Sequence, residues 1–344
     1  MMSTCLTSVL ALILTLCTGI SRGQCPEKCN CTGLRVVCEG QQLQNIPLSL
    51  PAAEYLSLRN NQIRNISRQS FKGLTQLQAL YLSGNQIETI DDGVFEEVPN
   101  LVYLWLNDNQ IRSISRESYN GLTQLRILYL DNNQIHNISR ELFKGLTQLQ
   151  ELSLNNNSLE SIDAGVLEGV PNITKLWLND NQIRNISRES FNGLTQLRIL
   201  YLHNNQIHNI SRELFKGLTQ LQELYLSVNQ IETIDDGVFE EVPNLVYLWL
   251  NDNQIRSISR ESFNGLTQLR ILYLHNNQIH NISRELFKGL TQLQELYLSV
   301  NQIETIDDGV FEEVPNLVYL LLNDNQIRSI SRESFNGLTQ LRIL

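Results

Sequence analysis

Histidine, acidic, hydroxyl and thiol side chains are plentiful in this 344-residue chain, and their spacing decides what chemistry they could do. The five His form two sets, His136, His208 and His280, and His203 and His275; within each set neighbours are 72 residues apart. If 72 residues are three strand spacings, those neighbours lie ~14 Å apart, far outside one metal's ligand shell. Acidic groups such as Asp91, Asp92, Glu96 and Glu97 recur at 235–241 and 307–313. They lack the oxygen-rich spacing of a closed calcium loop and read as a solvated outer face. Ser, His and Asp follow the same long repeat, and no H-E-x-x-H pair, phosphate loop or nucleophile elbow is present. No residue is therefore given a catalytic or metal-binding role, and no cofactor is expected.

The aromatic residues point to recognition instead. All ten Phe occupy one slot of a 24-residue unit, whereas all three Trp and ten of the eleven Tyr occupy two others. Position 5 of the unit carries Tyr81, Trp105, Tyr129, Trp177, Tyr201, Tyr225, Trp249, Tyr273 and Tyr297, and position 3 adds Tyr55, Tyr103, Tyr247 and Tyr319. Tyr and Trp bring large contact area, few rotatable bonds and a polar handle, the properties of interface anchors. Phe is equally suited to strands and is absent from this set, so strand propensity alone does not explain the sorting. A binding face is expected over Tyr81, Tyr103, Trp105, Tyr129, Trp177, Tyr201, Tyr225, Tyr247, Trp249, Tyr273 and Tyr297, with the Trp as its strongest anchors. The neighbouring outward slots carry nine acids and six bases, mixed signs that suit a folded protein better than a polyanion.

These residues must be held by a repeating coil. From Ala53 to Gln340 the period runs without insertion through twelve units of the form L-x-x-L-x-L-x-x-N-x-I-x-x-I-x-x-x-x-F-x-x-L-x-x. Positions 1, 4, 6, 11, 14 and 22 are almost always Leu, Ile or Val, which must point inward if each coil is to bury a face on its neighbours. Across x-L-x-L-x the period is two, so positions 3 to 7 predict a short strand with Leu inward and positions 3 and 5 outward. Position 9 is Asn in every unit, from Asn61 to Asn325, and reads as a structural ladder: its amide can satisfy backbone groups that an apolar residue cannot. Position 19 holds the Phe, replaced only by Tyr119 and Leu167, and predicts a buried aromatic spine. Residues 197–268 match 269–340 at 71 of 72 positions, the exception being Trp249 against Leu321. Such identity reads as tandem duplication.

The formal charge of −10 disfavours nucleic acid and other polyanions as partners. Residues Leu6 to Ile20 form an apolar run too short to span a bilayer, followed by small residues before Gln24, which predicts a secretory signal over 1–23. No other segment could insert in a membrane. Cys5 and Cys17 leave with that signal; Cys25, Cys29, Cys31 and Cys38 remain, an even cluster that predicts two disulfides in an oxidising compartment.

The repeat pattern resembles the extracellular leucine-rich repeat family, in its 24-residue subclass, and the run from Cys25 to Cys38 looks like that family's amino-terminal cysteine cap. The resemblance implies an α/β solenoid shaped as a curved horseshoe, with a parallel β-sheet on the concave face and loops and short helical turns on the convex face. It implies the pairings Cys25–Cys31 and Cys29–Cys38, which spacing alone leaves open among three connectivities. The expected layout is a signal over 1–23, a cap over 24–52, twelve repeats over 53–340 and the start of a thirteenth over 341–344, where a fragment is inferred from a coil cut at its strand. The expected function is non-catalytic recognition of an extracellular or cell-surface protein on the concave face; the alternatives are a matrix or adhesion scaffold and glycan or microbial pattern recognition. A secreted or cell-surface fate would make eight N-x-S/T sequons usable: Asn30, Asn65, Asn137, Asn156, Asn172, Asn185, Asn209 and Asn281.

Overall fold

The computed structural model describes residues 25–48 and 50–344; the expected signal over 1–23 lies outside them. One 14-stranded sheet runs the length of the molecule. It opens with an antiparallel hairpin, Asn30–Thr32 with Arg35–Val37, and continues with one parallel strand per coil, from Tyr55–Ser57 to Tyr319–Leu321. Register advances by one unit at each step, so that Leu56 pairs with Leu80 and Leu80 with Leu104. The hairpin covers the open edge of the first coil, and Cys25–Cys31 and Cys29–Cys38 are both bonded there.

The strands span three residues, positions 3 to 5, where the alternation predicted five. Inter-coil hydrogen bonds continue past them, as from the Leu82 amide to the Trp105 carbonyl at 2.8 Å and from the Gly84 amide to the Asn107 carbonyl at 3.2 Å. Position 8 then turns left-handed, with φ between +51° and +56° at all eleven non-glycine residues there. That turn takes the chain off the sheet and limits the strand.

From Leu56 to Leu320 the leucines at positions 4 and 6 are wholly buried, Leu104 and Leu106 among them. Removing each such side chain from water is worth about 1.5–3 kcal/mol, repeated in every coil. The Asn ladder then satisfies the backbone at the turn. The Oδ1 of Asn133 accepts from the Ile111 amide at 2.9 Å, while its Nδ2 donates to the Leu106 and Leu130 carbonyls at 3.0 Å each. One side chain thus ties its own coil to the preceding one, and the arrangement repeats at Asn85, Asn109, Asn157 and onward.

On the back of the coil the Phe stack in runs, for example Phe71 on Phe95 at 5.9 Å and Phe311 on Phe335 at 5.9 Å. Tyr119 continues the spine against Phe95 and Phe143, its buried hydroxyl unpartnered and its ionisation suppressed by burial. Position 18, which the apolar pattern passed over, is buried too. Its four deeply buried serines, Ser118, Ser190, Ser262 and Ser334, donate to the carbonyls of Ile90, Ile162, Ile234 and Ile306 in the coil before. Elsewhere on the convex side, the described residues form four two-stranded sheets of two residues per strand and two 3-10 turns, Arg68–Phe71 and Arg212–Phe215.

Candidate binding face

Leucines at positions 4 and 6 occupy the inside of each strand, so positions 3 and 5 stand on the concave face. The position-5 rings are half-buried because they lie against one another. From Trp177 the stack runs through Tyr201, Tyr225, Trp249 and Tyr273 to Tyr297, with centroids 5.7, 4.5, 3.9, 5.6 and 4.4 Å apart. Tyr81 lies flat on Trp105 at 4.0 Å. Tyr103 and Tyr247, at position 3, lean on Trp105 and Trp249 at 5.7 Å; Tyr103 keeps 37% of its surface exposed. Stacking along the sheet therefore pre-orders the side chains while ring edges and position-3 faces stay open to a partner.

Polar groups fix several of these rings. The Tyr225 and Tyr297 hydroxyls donate to Glu223 and Glu295 in their own strands at 2.8 Å. Tyr129 instead reaches the next strand, donating to Glu151 at 2.7 Å, and Lys175 holds the other oxygen of that carboxylate at 3.1 Å. Burial, and then the carboxylate contact, pushes the three phenols above their usual range, so they act as neutral donors. The guanidinium of Arg35 lies over the Tyr55 ring at 3.9 Å and that of Arg59 over Tyr81 at 4.3 Å.

The stripe changes character at Ser153, the buried position-5 residue between Tyr129 and Trp177. Tyr129 tips across it and stands edge-on to both Trp105 and Trp177, at 87° and 82°. A cavity of about 430 Å³ opens here, walled by the three rings, floored by Ser153 and bordered by Asn107, Asp131, Asn155 and Arg59. Desolvation raises the Asp131 carboxyl above its ordinary value, and Asp108 adds to the effect.

One rim of the face is formed by position 8, which the sequence pattern did not single out. Its Asn and Asp side chains bond from coil to coil, Asn132 to Asp108 at 2.9 Å and Asn276 to Asp252 at 2.7 Å. Val228 and Val300 interrupt the row. Both hold left-handed φ, +53° and +54°, and both are nearly half exposed, at 47% and 46%. A β-branched residue in that conformation is strained, and its exposure returns no core energy. The signal was present in the sequence as the only Val at position 8 of twelve units.

His203 and His275 sit at position 7 beside this rim, edge-on to Tyr201 and Tyr273, and burial lowers both below the usual imidazole value. His136, His208 and His280 are exposed on the coil beyond the turn. Among the described residues no three His, Cys, Asp or Glu gather as metal ligands. The eight sequon asparagines are all exposed. Asn172 donates to the Thr147 carbonyl at 2.7 Å, and Asn156 donates to Asn132 within the position-8 row.

A parallel sheet built from 24-residue coils, an asparagine ladder at each turn and a disulfide-bonded first hairpin define a leucine-rich repeat solenoid. The chain belongs to the leucine-rich repeat family, whose sequence profile matches residues 44–87, 75–135, 123–183, 171–231, 228–279, 243–303, 267–327 and 291–344. It is 40% identical over 92 residues to leucine-rich repeat-containing protein 3 of Danio rerio, covering 25% of this chain and 35% of that protein. It is 42% identical over 73 residues to opticin of Bos taurus, covering 21% of this chain and 23% of that protein. The matched stretches thus span about a third or less of these two relatives' lengths. Among solved structures it superposes on a chain from the octameric complex of latrophilin 3, Unc5D and FLRT2, whose FLRT2 part is a leucine-rich repeat. That match has a TM-score of 0.76 and 26% identity, and covers 91% of this chain and 100% of the other. An internalin of Listeria monocytogenes matches with a TM-score of 0.70 and 27% identity, covering 90% and 86%.

Proposed function

We propose that this chain is a non-catalytic extracellular recognition protein that binds a folded protein partner on its concave face. The observation that carries the proposal is the pre-ordered stripe of Tyr and Trp along that face, with Phe confined to the buried spine. A contiguous aromatic surface on a soluble solenoid is a liability unless a partner covers it. The strained, exposed Val228 and Val300 on its rim support the same reading, because their cost is not recovered inside the molecule. The latrophilin 3, Unc5D and FLRT2 complex supplies a precedent for protein assembly by a chain of this fold.

The layout that accompanies this reading is a cleaved signal over 1–23, a cap over 24–52 and repeats over 53–340. The exposed sequon asparagines on the coil beyond the turn, Asn65, Asn137, Asn185, Asn209 and Asn281, would carry glycans away from the stripe; Asn156 lies nearest to it. Screening the secreted chain against arrays of cell-surface ectodomains, collagens and glycans tests the function. Saturable binding to an ectodomain is the expected result. Binding confined to collagen would point to a matrix scaffold, and binding confined to glycans would overturn a protein partner.

A further inference from the structure

Elsewhere the position-5 rings lie nearly parallel and close on one another, but around Ser153 their planes cross and leave the cavity of about 430 Å³. Three aromatic rings border that space, and the faces of such rings carry the π-density that attracts a cation. Beside it, the Asp131 carboxylate is half-buried and accepts from the Asn132 side-chain amide at 3.1 Å. Glu151 is held by Lys175, whereas Asp131 is in no ion pair among the described residues. A half-buried carboxylate without a counter-ion gains most from a partner that brings one.

We propose that this cavity receives one cationic side chain, a primary ammonium or guanidinium, from the protein partner, enclosed by Trp105, Tyr129 and Trp177 with its charge against Asp131. The proposal rests on the concave-face reading and names one chemical contact within it. The molecule already makes this contact with its own cations, since Arg35 and Arg59 lie over Tyr55 and Tyr81 at 3.9 and 4.3 Å. Arg59 also borders the cavity; its guanidinium lies over the Tyr81 ring and forms no ion pair with Asp131. An anionic side chain would meet Asp131 and is disfavoured.

The chain carries three Trp, and Trp249 lies flat between Tyr225 and Tyr273, far from Ser153, which makes it an internal control. Indole N–H resonances of the full secreted protein are followed during titration with Nα-acetyl-lysine methylamide, with its neutral counterpart Nα-acetyl-norleucine methylamide and with glucose, each to about 100 mM, since one such contact binds weakly. The lysine probe is expected to give saturable shifts at Trp105 and Trp177 and none at Trp249, and Asp131→Asn to weaken binding about tenfold. Unchanged Trp249 shifts in the variant report an intact sheet. The proposal is overturned if the lysine probe moves no indole, moves all three alike, binds Asp131→Asn equally well, or is matched by norleucine or glucose. Because no partner is used, failure here leaves the array screen standing, and success here does not depend on it.

Discussion

Replacing Val228 and Val300 by Asn should make this protein more stable, although both residues are surface valines and the change deletes apolar atoms. Each valine holds φ near +53°, a conformation that costs a non-glycine residue about 1–2 kcal/mol and that Asn tolerates far better. The backbone is not free to relax, because the Val228 amide donates to the Asn251 carbonyl at 3.1 Å and the Val300 amide to the Asn323 carbonyl at 2.9 Å. Asn at these positions also faces Asn204 and Asn276 one coil back, in the geometry by which Asn132 bonds to Asp108. With an unfolding entropy of about 0.7 kcal/mol per degree for a chain of this length, each substitution should raise Tm by about 1.5–3 °C and the pair by about 3–6 °C. Differential scanning calorimetry of the full chain measures this. Asn204→Val is the reverse control, expected to lower Tm, since it introduces the same strain and removes the bond to Asp180. An unchanged or lower Tm in Val228→Asn/Val300→Asn would refute the reasoning that position 8 is strained by Val.

Asn133→Leu should be among the most damaging single changes, because it leaves the Ile111 amide and the Leu106 and Leu130 carbonyls without this partner. A loss of about 3–5 kcal/mol is expected, read as a lower denaturant midpoint and as faster hydrogen exchange in the coils on both sides. Ser118→Ala removes one buried donor to the Ile90 carbonyl and should cost about 1 kcal/mol in the same assay. His203 and His275 have folded values below the unfolded 6.5, so the unfolded chain takes up protons first as the solution is acidified. Stability should fall as pH drops below 6.5, and His203→Gln/His275→Gln should flatten that slope; an identical slope in the variant would assign the effect elsewhere.

The repeat made most of the fold legible. An uninterrupted 24-residue period leaves few ways to bury positions 4, 6 and 11, and Asn at every position 9 has one job that no apolar residue can do. The strand length was less legible, because alternation continues past position 5 while the left-handed turn at position 8 does not show in an apolar pattern. Ser at position 18 is hard to read for a related reason: its burial is licensed by a carbonyl in the preceding coil, a contact 28 residues away. At the candidate site, alternation placed Tyr and Trp on the outward face, but not the way Tyr129 tips over Ser153 to reach Glu151. That depends on one small residue interrupting a row of large ones, and only packing in three dimensions reveals which ring moves.

The most direct test of the concave face is a binding measurement on Trp105→Ser/Trp177→Ser/Trp249→Ser, made against an ectodomain selected with the unaltered chain. Outward positions contribute little to the core, so the variant should keep its sheet, verified by circular dichroism. Loss of three aromatic anchors should weaken binding by about a hundredfold or more in surface plasmon resonance. Unchanged affinity in a folded variant would contradict recognition on this face.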